Sequence, residues 1–182
     1  MRSSPTALLS VAEAYFDRYA YPAWLRTHSR LAGRVAAAFT GQAQRHGVTL
    51  DAESVVLGAL LHDLGRSPLL AGLPGEHHVG SAAVLAAEGR AQLVELVRRH
   101  SVYAPLQPSL TPRTLEEQLV YLADRRAGLR LMTVRERVLD LGARHPEYAH
   151  ETARALDAAL AIEAEVAAAL GLTHAALEAL PA

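Results

Sequence analysis

Apolar residues along this chain recur at three- and four-residue intervals, and no segment alternates with the period of two that a half-buried strand requires. The pattern predicts an all-α protein. A first helix is expected from about Pro5 to Tyr19, capped by Ser4, with Leu8, Leu9, Ala12 and Phe16 on one face. A long second helix from Pro22 to about His46 carries Trp24, Leu25, His28, Leu31, Val35 and Phe39 at helical spacing, which sets His28 on or beside the apolar face. The third, from Ala52 to about Leu64 with Asp51 as its cap, is apolar nearly all round and is therefore expected at the centre of a bundle. Gly65 reads as its stop, and Pro68 cannot continue it.

The remaining chain follows the same period. A loop over Ser67 to Gly75 leads into a helix from about Glu76 to Glu88, and another spans Arg90 to about His100. Ser101 to Thr111, in a stretch carrying Pro105, Pro108 and Pro112, reads as an irregular, lid-like connection. Thr114 with Glu117, and Thr133 with Glu136, are capping-box signatures that open two further helices. An Ala-rich helix from Glu147 to Leu170 and a short one to Leu180 close the chain. No linker, repeat or heptad divides it, so one domain over residues 1–182 is expected.

Composition narrows the chemistry. The chain has 182 residues, 51% of them hydrophobic, enough for a sizeable core without covalent staples. It contains no Cys, which removes disulfides, thiolate-bound zinc, iron–sulfur clusters and a thiol nucleophile together, and is compatible with a reducing cytoplasm. Any metal must sit on His, Asp or Glu. With 18 basic and 19 acidic residues and a formal net charge of -1, neither a nucleic acid nor an anionic membrane is expected as a partner. No uncharged apolar run reaches a membrane span, and the opening from Met1 to Phe16 does not read as a signal peptide. All 18 Lys-or-Arg positions are Arg, and the chain has nine His besides.

The candidate site begins at Leu61-His62-Asp63-Leu64-Gly65-Arg66, where two metal-binding side chains stand at the mouth of the central helix. Others at helix ends or on inward faces are His28, His77 or His78, His100 and Asp124, whereas His145, His150 and His174 fall outside any pattern and are assigned to the surface. In order and context this resembles the HD-domain metal-dependent phosphohydrolases. His28-Ser29 precedes Arg34-Val35-Ala36, the His-Asp pair stands in a His-Asp-Ile-Gly-like signature, and Tyr121-Leu122-Ala123-Asp124 resembles the distal-Asp helix. The likeness covers an HD core over about residues 24–146, with C-terminal helices in 147–182, and lies near the bacterial diadenosine tetraphosphate hydrolase branch. Where that pattern often has Lys after the signature, this chain has Arg66, and where it often reads Gly-Ala after the loop His, this chain has Ser81-Ala82.

The resemblance implies a mono- or dinuclear metal centre and hydrolysis of a nucleotide-like phosphate ester or anhydride. In it His28, His62, Asp63 and Asp124 would hold one ion, and His77, His100 and Asp63 the second. Asp63 would bridge them and carry the catalytic role. Imidazole-rich donors favour Fe or Mn, with Zn, Mg and Ni also compatible. Arg66 is expected to clamp phosphate, with Arg125, Arg126 and His78 as further substrate contacts. Helix phase places His77 ahead of His78 as the ligand, because small Ser81 then lies one turn below the imidazole. The alternative is a metal- and nucleotide-binding regulatory module without turnover. The substrate is left unnamed, and a homodimer is left open.

Overall fold

The structure, a computed structural model, describes residues 4–180, so the expected bounds of 1–182 run past the described residues at both ends. Among the described residues the regular structure is helical, and the backbone forms a single isolated β-bridge, between Ala127 and Leu131. The fold is all-α. In chain order the helices are α1 (Pro5–Arg18), α2 (Ala23–Arg45), α3 (Ala52–Leu61), α4 (His77–Ala87), α5 (Ala91–Arg98), α6 (Leu115–Arg126), α7 (Val134–Arg144), α8 (Ala149–Ala169) and α9 (His174–Glu178).

The helix starts follow the capping chemistry of the sequence. Ser4 accepts the N–H of Ala7, and Asp51 that of Ser54. Thr114 and Glu117 form a reciprocal capping box on α6, as do Thr133 and Glu136 on α7, so two otherwise orphaned backbone donors are satisfied at each end. Helix α3 is the axis of the fold: every residue from Ser54 to Leu61 is buried, and it packs against α1, α2, α5 and α6. One apolar cluster extends from Leu8 in α1 to Leu177 in α9.

The structure corrects three details of the sequence reading. Leu9 and Trp24 are 36% and 49% exposed, so neither belongs to the core. The α-helical ladder of α3 ends at Leu61 rather than near Leu64, and His62 and Asp63 lead into a 3-10 turn at Leu64–Arg66. Gly65 is therefore not a helix stop. A Cβ on it would lie 2.1 Å from the carbonyl oxygen of His77, so its bareness allows the His-Asp turn to seat directly on the first turn of α4.

Candidate metal centre

Five helices or helix ends bring the titratable cluster together. His28 comes from α2, His62 and Asp63 from the end of α3, His77 from the first turn of α4, His100 from just beyond α5, and Asp124 from α6. All except His77 are buried; His77 keeps 22% of its side chain exposed. The anchoring is local as well as tertiary. The Nδ1 positions of His62 and His100 face the carbonyl oxygens of Ala59 and Val97, each three residues back. A carbonyl can only accept, so in each ring Nδ1 carries the proton and the neutral form turns an Nε2 lone pair inward.

Those inward atoms form two sets about Asp63. Its Oδ2 lies 3.6 Å from His28 Nε2 and 3.5 Å from His62 Nε2, while Asp124 Oδ1 stands 3.3 and 3.6 Å from the same two nitrogens. Its Oδ1 lies 3.3 Å from both His77 Nε2 and His100 Nε2. Within the sets, His28 Nε2 and His62 Nε2 are 3.0 Å apart, and His77 Nε2 and His100 Nε2 are 3.2 Å apart. Cis ligands at a typical metal–imidazole bond length lie about 3.0 Å from each other. The donor arrangement fits a metal site, the two oxygens of Asp63 facing different imidazole pairs.

Electrostatics agrees with this reading. Burial acts most strongly on Asp63 and would raise its pKa, but His62, His100 and Arg66 together hold it well below the usual carboxylate range. Asp124 follows the same logic, burial being outweighed by Arg125, His62 and His28. Burial pulls His62 down, yet Asp63 and Asp124 reverse the effect and raise it, so these carboxylates favour a positive charge at this place. His77 is pushed down to about 2, chiefly by burial, and His100 is also lowered, again chiefly by burial. Both present neutral nitrogen donors near neutral pH.

His28, Asp63, His77 and Asp124 of the cluster line the floor of a cavity of about 600 Å3. A family model described as HD domain matches residues 25–129, a span that contains all six cluster residues. The chain belongs to the HD domain family. HD domains are in general metal-dependent hydrolases, and the buried His and Asp groups of this one fit a metal site. No match is found among the curated proteins or among the solved structures.

Around the HD cluster the arginines and His78 separate by position. Arg66 donates from Nε to Asp63 Oδ1 at 2.8 Å, and its Nη2 is 3.2 Å from His77 Nε2, while 44% of its side chain remains exposed to the cavity. Arg125 lines the cavity and pairs with Asp124. Arg126 does not fit the expected substrate role. It donates to the carbonyl oxygens of Leu177 and Glu178 at 2.8 and 2.6 Å, so it fastens the C-terminal helix to α6. Consecutive helical residues point about 100° apart, which is why two adjacent arginines serve such different places. His78 is 3% exposed and stands behind His77, its ring 6.2 Å from that of His100, so it is a supporting group rather than a cavity wall.

The cavity also uses residues that no motif pointed to. Arg137 and Arg144 of α7 reach it, as do Tyr103 and Tyr148, whose ring centroids are 6.0 Å apart. His145, expected on the surface, is exposed and lies on the cavity rim. Their sequence signal was slight: Arg137 and Arg144 are seven apart, two helical turns on one face, and nothing in that spacing says which neighbour the face will meet.

Proposed function

We propose that this HD-domain chain is a phosphohydrolase that cleaves a phosphate ester or anhydride in a nucleotide-like small molecule, using two metal ions, Fe or Mn. The observation that carries the reading is the division of Asp63, whose two oxygens each face a separate imidazole pair. His28, His62, Asp124 and Asp63 Oδ2 would hold one ion, and His77, His100 and Asp63 Oδ1 the other. When bound, such ions lower the pKa of water toward neutrality and neutralise charge on phosphoryl oxygens.

The protein's own groups do the rest. The planar guanidinium fork of Arg66 is suited to binding phosphoryl oxygens and not to donating a proton. Its contacts with both Asp63 and His77 hold the guanidinium beside the second donor set. Apolar Leu129, Leu141 and Val102 add non-polar surface to the cavity lining. Trp24, Tyr103 and Tyr148 supply aromatic surfaces suited to a flat heterocycle, which favours a nucleotide over a simple phosphorylated metabolite.

Elemental analysis of the purified chain, followed by a phosphate-release panel of nucleotides and dinucleotides, tests the reading. Two ions per chain and release from at least one substrate are expected. Asp63→Ala should abolish release and take the metal toward one ion or none, because it removes the group shared by both sets. Metal-loaded protein that releases phosphate from no substrate would instead indicate a regulatory binding module, and full activity in Asp63→Ala would overturn the mechanism.

A further inference from the structure

The arginines of the cavity form two groups. Arg66 stands beside His77, on the side of one donor set. Arg125 stands beside Asp124, on the side of the other, and from there Arg137 and Arg144 continue along the α7 wall. These seven-residue neighbours start about 10 Å apart along the helix axis, and both side chains reach Asp140, so their charges are gathered into one row. It is also held in place. Asp140 accepts from Arg137 at 3.3 Å and from Arg144, so one carboxylate aligns two guanidinium groups and leaves the wall with excess positive charge.

Two members of this row keep individual donor atoms without a partner. Nε and Nη1 of Arg125 and Nε of Arg137 are buried with no hydrogen-bond acceptor among the described residues. The Arg125 side chain is 4% exposed and that of Arg137 12%. Buried guanidinium donors are costly to leave unsatisfied, so both side chains carry more hydrogen-bonding capacity than the fold uses, beside a cavity that both residues line. Among the described residues the carboxylates paired with these two side chains are Asp124 and Asp140. The positive charge that Arg125, Arg137 and Arg144 bring to the cavity then suits an anion that arrives with a ligand.

We propose that Arg125, Arg137 and Arg144 form a distal anion subsite that binds a second anionic group of the substrate, one linked to the phosphoryl group at the metal centre. The inference rests on the hydrolase reading for what occupies the floor of the cavity. Its own residues lie partly outside the HD match, since α7 begins after residue 129. It makes the enzyme selective for substrates whose phosphates are linked, over those with a single phosphate. Guanidinium groups suit this task because their planar fork pairs two donors with two phosphate oxygens.

The test uses the metal-loaded protein and two probes that cannot be hydrolysed, methylenediphosphonate and methylphosphonate. Binding is followed by the emission of Trp24, the sole tryptophan, which lines the cavity. The wild type should bind the diphosphonate more tightly, and Arg137→Gln should narrow the ratio of the two affinities by about ten-fold, as loss of a charged hydrogen bond does. Arg144→Gln, at a side chain 56% exposed and so tolerant of substitution, should narrow it in the same direction. Arg135→Gln removes the same charge from an exposed position of α7 and should leave the ratio as it is. Equal ratios in wild type, Arg137→Gln and Arg144→Gln would overturn the subsite, even with two ions bound and phosphate released from a monoester. Discrimination lost in both variants, in a protein that turns over no phosphorylated substrate, would uphold the subsite and overturn the hydrolase reading.

Discussion

The backbone N–H of Gly65 donates to the hydroxyl of Ser81 at 2.8 Å, and that hydroxyl donates in turn to the carbonyl oxygen of His77 at 3.0 Å. One small side chain thus joins the turn that carries Asp63 to the helix that carries His77. The two segments are separated in sequence, and this relay together with the bare Cα of Gly65 sets the distance between them.

Gly65→Ala should break that arrangement. A Cβ 2.1 Å from a backbone oxygen cannot be absorbed by a rotamer change, so the turn and α4 must separate. The expected cost is about 1–3 kcal/mol, in the range of overpacked cores. Calorimetry should show the lower melting temperature, and elemental analysis should show loss of metal mainly from the set that includes His77. Unchanged melting and unchanged metal would show that the contact is not a constraint.

His77→Ala should remove one ion per chain, whereas His78→Ala should keep both and lower stability. The difference follows from placement: His77 Nε2 faces Asp63 and His100, while the His78 ring is buried behind it. Metal content measured on the two single variants decides the point. Two ions retained in His77→Ala with one lost in His78→Ala would move the ligand assignment by one residue.

Residues legible in the sequence were those whose meaning is local. The capping boxes at Thr114 and Thr133, the cap at Asp51 and the all-apolar α3 depend on spacings of a few residues, and each appears in the structure. His62 and Asp63 could be singled out because they end that helix. Gly65 was misread because a glycine after an apolar helix usually serves as a stop, and its actual constraint is a carbonyl on another helix. Arg126 was grouped with Arg125 because chain adjacency conceals helix phase. Arg137 owes its place to the way α7 packs against α6 and α8, a relation carried by no short motif.

Arg66→Ala and Arg126→Ala should therefore separate cleanly. Loss of Arg66 removes charged hydrogen bonds to phosphate, so kcat/KM should fall about ten- to a hundred-fold with metal retained. Arg66→Lys should recover part of this, since it keeps the charge but loses the fork. Arg126→Ala should instead lower the melting temperature, because it frees the carbonyls of Leu177 and Glu178, and should leave kcat/KM close to the wild type. Metal loss in Arg66→Ala, or a rise in KM in Arg126→Ala with unchanged melting, would reverse the assignments.

Glu163 provides a test of stability away from the metal centre. Its side chain is 1% exposed, neither carboxylate oxygen has a hydrogen-bond donor among the described residues, and His174 Nδ1 lies 3.5 Å away. Burial raises its pKa above the ordinary 4.5, and the neighbouring His174 only partly opposes this. For a carboxyl group raised in the folded state, the favourable contribution is complete below the unfolded pKa and is lost as pH rises through the folded value. Ionised Glu163 is thus a cost near neutral pH. Glu163→Gln should raise the melting temperature at about pH 8, by roughly 2–4 °C for each kcal/mol recovered in a chain of this size. Near pH 4, where the wild-type carboxyl is already protonated, the gain should vanish. Comparing the variant with the wild type at each pH cancels the titration of the metal-site groups, which both proteins share. A melting temperature that falls on Glu163→Gln at the higher pH would mean that the ion pair with His174 outweighs the burial.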